Sequence, residues 1–295
     1  MAFTAQDIKE LRERTGAGMM DCKKALVDAD GDMERAADLL RERGIAKAAK
    51  KASRIAAEGV VSCYINDGVG VLVEINCESD FVAMNPQFSE IANEVAKVVA
   101  NVNPANVDEL LACAYADSTI EEYLKGKIAI IGEKIGVRRF VRIESSFLES
   151  YVHLGGKIGV LLAVDGEATE EAREVAHNAA LQVAFAKPAY LTRAEVPAEA
   201  VEKEKEILKQ QVMGEGKPEA IAEKIVLGKI GKFYEENCLL EQKFIKDPDV
   251  KLIDLLKKAH ISIAKCVFYV MGEGLEKKSE DFGEEIAKQV AAMQK

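Results

Sequence analysis

Apolar residues recur along the chain with two different periods, and the switches between them divide it. Over residues 4–44 they fall at helical spacing: Ile8 and Leu11, then Cys22, Ala25 and Leu26, then Met33, Ala36, Ala37 and Leu40. Thr4 with Asp7 three residues on makes a weak capping box, and TGAG at 15–18 breaks the first helix. DADG at 28–31 ends the second, and Gly44 stands where a left-handed residue closes the third. The spacing predicts a three-helix bundle of roughly 40 residues, small for a self-sufficient core and suited to an adaptor. The Ala-rich basic stretch AKAAKKASR at 46–54 reads as a solvated helical linker, with a nucleic-acid patch as the alternative.

From residue 58 the period becomes two. VVSCYI at 60–65, the Asn66-Asp67-Gly68 turn and GVGVLVEI at 68–75 predict a β-hairpin. Residues 86–100 and 106–124 carry helical patterns; IAIIGEKIG at 128–136 leads into a strand over 136–144. The pattern then repeats. Residues 150–166 hold a second hairpin in which KIGVLLAV (157–164) echoes GVGVLVEI. Residues 170–188 repeat the helix, with Val175, Ala179, Leu181, Val183 and Phe185 as its apolar positions, and 261–274 matches 136–144 in role.

The implied fold class is α+β: a duplicated core of two small antiparallel sheets, each with helices on one face. Residues 56–145 form one half, 146–196 with 238–278 the other. The second half is interrupted at 197–237 by two amphipathic segments, Val201, Ile207, Leu208 and Val212 on one and Ile221, Ile225, Val226, Ile230 and Phe233 on the next. GEGKP at 214–218 separates them, so they predict an inserted antiparallel coiled-coil hairpin. Residues 1–55 form the bundle and linker, and 279–295 a carboxy-terminal helix.

Charge narrows the function. The 295 residues carry a net −10, which disfavours general binding to nucleic acid or anionic membrane. The first 55 residues hold 12 basic against 10 acidic side chains, so the negative charge lies in the remainder. Six cysteines form no C-x-x-C pair and only three histidines are present, which argues against a zinc site. The amino end has no signal-peptide core and no apolar run reaches about 18 residues, consistent with a cytoplasmic protein whose thiols are reduced.

Chemistry is equally sparse. The Gly-Lys pairs at 126–127, 156–157, 228–229 and 231–232 are each followed by an apolar residue and that at 216–217 by Pro218, so no phosphate loop is present. Gly68-Val69-Gly70 leads into a strand and is no dinucleotide fingerprint. No triad or metal motif occurs, and Glu78 with Asp80 lacks a surrounding pocket. The expected work is binding, with no cofactor, metal or catalytic residue.

One stretch stands out. NCESDFVAMNP at 76–86 joins a predicted strand to a predicted helix capped by Asn85 with Pro86 in its first turn. Between them lie Glu78, Ser79, Asp80 and Phe81. Phe81 either folds back as a core anchor or is displayed for a partner.

Four spaced motifs then carry a resemblance over essentially the whole chain. LRERTGAGMMDCKKAL (11–26) and NCESDFVA (76–83) resemble the two signatures of the elongation factor Ts family, with Ser79 where Thr is usual. YVHLGGKIGVLL (151–162) and KPEAIAEKIVLGKIGKF (217–233) are similar to its His-containing strand and its coiled-coil module. The resemblance implies a ubiquitin-associated-like (UBA-like) bundle and guanine-nucleotide exchange on elongation factor Tu, without covalent chemistry. It implies a loop of Ser79, Asp80, Phe81 and Val82 that wedges near the partner's Mg²⁺ and phosphate site. Partner contacts carried over by motif are Lys9, Arg12, Met19, Met20, Lys23, Ile131, Gly132, His153, Phe244 and Ile245. The alternatives are an RNA-binding translation or storage protein using residues 46–54 and the bundle, and a homodimer through the core or the helical hairpin.

Overall fold

The computed structural model describes residues 3–216 and 218–276; the helix expected over 279–295 lies outside the described residues. In chain order the elements are α1 (Ala5–Thr15), α2 (Met19–Asp28), α3 (Met33–Ala49), β1 (Glu58–Asn66), β2 (Val69–Cys77), α4 (Asp80–Ala83) and α5 (Pro86–Val102). Then come α6 (Val107–Ala112), β3 (Ala114–Tyr115), β4 (Ser118–Thr119), α7 (Ile120–Ile131), β5 (Gly136–Glu144), β6 (Leu148–His153) and β7 (Ile158–Asp165). The last are α8 (Glu170–Ala186), α9 (Ala198–Gly214), α10 (Glu219–Asn237), β8 (Lys243–Phe244), β9 (Asp247–Lys251), α11 (Leu252–Lys258) and β10 (Ser262–Val270).

Helices α1–α3 enclose Leu11, Cys22, Ala25, Leu26 and Ala36. The capping box is present: the Asp7 N–H donates to Thr4 Oγ1 at 3.3 Å, and the Thr4 N–H to the Asp7 carboxylate at 2.6 Å. Gly16 closes α1 in the left-handed region at φ +69°.

Gly44 does not close α3. The helix runs on to Ala49, and a Cβ on Gly44 would stand 3.2 Å from Ala129 Cβ, so its hydrogen admits α7 against α3. The linker is correspondingly not free. Ala48 is buried in the first core, Lys47 pairs with Asp21 at 3.0 Å, Lys51 donates to the Gly132 carbonyl and Arg54 pairs with Glu78 at 3.2 Å.

Two three-stranded antiparallel sheets form the body, ordered β1-β2-β5 and β10-β7-β6. The β1–β2 turn has φ +47° at Asp67 and +75° at Gly68, the pair of positive values that a two-residue hairpin turn requires. Helix α5 packs on the first sheet through Phe88, Ile91, Val95 and Val99, and α7 adds Ile120, Leu124 and Ile128 to the same core. Helix α8 packs on the second through Ala176, Ala180 and Val183, with α11 against α8 adding Leu252 and Leu256 to that core. The remaining faces meet each other through Val61, Leu72, Ile143, Leu148, Leu161, Ala163 and Met271. The central strands β2 and β7 are thus covered on both sides, which is why they read as unbroken apolar runs.

The duplication is visible in that meeting. Gly70 on β2 receives Leu161, a Cβ there standing 2.9 Å from Leu161 Cδ1; Gly159 on β7 receives Val61 and Leu72. Gly70-Val71-Leu72 and Gly159-Val160-Leu161 occupy equivalent places in the repeat, so each copy's glycine accepts the other copy's leucine.

The single helix expected over 106–124 is instead α6, the short β3–β4 hairpin and the start of α7. Cys113 is extended and Ala116 has φ +50°, while the rings of Tyr115 and Tyr123 lie 4.6 Å apart. Helices α9 and α10 fold back on each other over Val212, Ala222 and Val226, with Lys209 reaching Glu219 and Glu223. Ile207 and Leu227 stay exposed on that pair.

Glu74 on β2 is fully buried. Its carboxylate accepts from Arg138 Nη1 at 2.9 Å, Arg139 Nε at 2.7 Å and the Gly272 N–H at 2.8 Å. Arg139 also stacks 4.1 Å over the Tyr269 ring, so this network joins the first sheet to the end of β10.

Candidate functional site

The chain between β2 and α5 is held by two exchanged carboxylates. Glu133, just past α7, accepts the N–H groups of Glu78 at 3.0 Å and Ser79 at 2.9 Å, and the Ser79 hydroxyl at 2.6 Å. In return Glu78 accepts the Lys134 N–H at 2.7 Å while paired with Arg54. Beneath them Cys77 is buried; burial and the nearby Glu133 charge push its thiol up to about 12.

Ser79 begins the one-turn helix α4, its oxygen accepting the Val82 N–H at 3.4 Å. That turn sorts its side chains. Val82 and Ala83 pack on the first core, whereas Asp80 is exposed, Met84 is 71% exposed and Phe81 is 83% exposed. Phe81 is therefore displayed and not a core anchor. Leaving such a ring in water forgoes about 1.5–3 kcal/mol of burial.

The other carried-over residues fall in four groups. Ile131 is half-buried against the first core, and Gly132 is exposed at the left-handed end of α7, beside the loop that Glu133 holds. Lys9, Arg12, Met19, Met20 and Lys23 are all exposed on α1 and α2; neither methionine fills the bundle core. His153 ends β6 half-buried, its Nδ1 2.9 Å from the Tyr151 hydroxyl, beside exposed Val152 and Leu154. Phe244 is buried in the second core, its ring turned inward in the free chain, while Ile245 beside it is 41% exposed. Its place is fixed by the buried Gln182, which donates to the Lys243 carbonyl and accepts the Ile245 N–H.

The family described as Elongation factor TS matches residues 78–273. A curated elongation factor Ts of Clostridium perfringens is 50% identical over 298 residues, covering 97% of this chain and 98% of that protein. Those of Halothermothrix orenii and Clostridium botulinum are 46% and 48% identical, each covering 98% of this chain and 99% of the relative.

The chain belongs to the elongation factor Ts family. It is accordingly a translation elongation factor. The matched family region opens at Glu78, on the loop itself, and closes at Glu273, where the Glu74 network ends. Among the described residues no group of three His, Cys, Asp or Glu side chains could hold a metal ion, and no helix is long and apolar enough to cross a membrane. The arrangement offers displayed side chains on a braced support, a surface for docking.

Reading the sequence missed Glu133 and the part played by Glu78 and Arg54. The only signal was two acids, in CESD and in IGEKIG, more than fifty residues apart. Met84 and Leu154, both about 70% exposed, were also passed over because an isolated apolar residue carries no periodic pattern.

Proposed function

We propose that this protein binds the GDP form of elongation factor Tu in the cytoplasm and speeds GDP release, so that GTP can replace it. The UBA-like bundle docks on the GTP-binding domain through Lys9, Arg12, Met19, Met20 and Lys23. The loop of Ser79, Asp80, Phe81 and Val82 enters between elements of that domain near its Mg²⁺ and phosphate site, and the second half with His153 holds another partner domain. The observation that carries this reading is Phe81, 83% exposed on a loop fixed at both ends.

Burying one ring supplies about 1.5–3 kcal/mol, too little alone to expel a tightly held nucleotide. The remainder comes from a wide interface better satisfied when the nucleotide is gone. Coupling of this kind is reciprocal, so GTP entry weakens the complex by the same factor by which the complex weakened GDP. No bond is made or broken.

Phe81→Ala tests the reading. Stopped-flow release of a fluorescent GDP analogue should slow roughly ten- to a hundredfold at saturation, while the variant still co-sediments with the partner. Full-speed release would refute the wedge. RNA binding through 46–54 draws little support, because Lys47, Lys51 and Arg54 are engaged within the protein.

A further inference from the structure

Helix α4 is a single turn, far below the length at which a helix sustains itself. Something else must hold the backbone that aims Phe81 at solvent, and the hydrogen bonds single out Glu133. Three donors converge on its carboxylate, two of them successive N–H groups of the loop. The third, the Ser79 hydroxyl at 2.6 Å, leaves the same oxygen to accept the Val82 N–H and start α4. Without Glu133 the Glu78 and Ser79 N–H groups would turn to water, and the cap would be free to rotate.

The support behind Glu133 is rigid. It follows Gly132 at the end of α7, and α7 is seated on α3 through the Gly44–Ala129 contact. Lys51 donates to the Gly132 carbonyl, and Arg54 pairs with Glu78. The loop is thus referenced to the bundle as well as to the first sheet.

We propose that Glu133 is a positioning residue for exchange: it holds the Ser79–Phe81 backbone in its partner-competent shape before the partner arrives, so that the GDP-expelling step after docking does not have to order it. This rests on the wedge reading of Phe81. A group held ready contributes to rate without touching the reacting site. The signature of such a role is a lower saturating rate with little change in the half-saturating concentration.

The test is a double-variant cycle on the full chain, read by stopped-flow GDP release over a range of concentrations. Glu133→Ala should lower the saturating rate roughly tenfold, the scale of losing a hydrogen-bonded charge, and shift half-saturation by less than about threefold. Glu133→Gln keeps one acceptor oxygen and should recover part of the rate. Because Glu133 acts through the ring, Glu133→Ala should cost nothing further in a Phe81→Ala background. Full-speed release by Glu133→Ala, or losses that multiply in the double variant, would overturn the inference. Full-speed release by Phe81→Ala alone would instead remove the wedge reading, and the positioning role with it. Should Glu133→Ala fail to fold, the cycle runs with Glu133→Gln, and multiplying losses count against the inference in the same way.

Discussion

Glu74→Gln removes a charge while keeping the side chain's shape, so any loss comes from electrostatics and not from a cavity. In the native protein the carboxylate has no exposure and meets two guanidiniums, the Asn76 side-chain amide and one backbone N–H. Breaking a buried pair costs about 3–5 kcal/mol. Arg138 and Arg139 are 25% and 29% exposed, so water can partly solvate them once the charge is gone, which places the cost near 3 kcal/mol. At about 2–4 °C per kcal/mol for a chain of this size, the melting temperature should fall roughly 6–12 °C. Burial pushes the Glu74 carboxyl up, but the Gly272 N–H and the two arginines together outweigh it and hold the group below the usual carboxylate range. A depressed folded pKa contributes stability that is fully present above the unfolded carboxylate value, about 4.3, and is lost as pH falls through the folded one. Thermal melts followed by circular dichroism at neutral and acidic pH would therefore show a wide gap between native protein and variant that closes in acid. Equal melting temperatures at neutral pH, or a gap that persists in acid, would refute the reasoning.

Two other outcomes follow from packing and burial. Gly159→Ala puts a Cβ 2.4 Å from Val61 Cγ1 and 2.8 Å from Leu72 Cδ1, and should cost about 1–3 kcal/mol in urea denaturation. Gly70→Ala meets mainly the far ends of Leu161 and Leu148 and should cost less; the reverse order would contradict the packing described. Burial pushes the thiol of fully buried Cys77 up to about 12, so alkylation at mildly alkaline pH followed by mass spectrometry should leave it unmodified until the protein unfolds.

Much of the architecture was legible because its cues are local. The Asn66-Asp67-Gly68 turn, the apolar runs of β2 and β7 and the Thr4–Asp7 box each carry their own chemistry, and the second copy repeated the first closely enough to be seen. What failed depended on neighbours. Gly44 looked like a helix end because glycine is poorly suited to a helix interior; only α7 lying across it gives the position another reason. The break before α7 rests on a single alanine at positive φ, a residue that gives no warning. In the candidate site, Phe81 could be suspected from its setting, but Glu133 could not, since a carboxylate fifty-four residues from Ser79 announces no partner. Phe244 and Ile245 are neighbours that no pattern told apart: the first lies in the second core and the second is 41% exposed.

The leucine-into-glycine exchange across the sheets has a consequence for what this chain can be reduced to. It is the contact geometry of a symmetric pair of subunits, written into one polypeptide. Each half supplies the lid for the other's inner surface, so a fragment carrying only the Phe81 loop would present a broad oily face to water. The second copy is obligatory even where it touches nothing outside, since the first cannot stand without it.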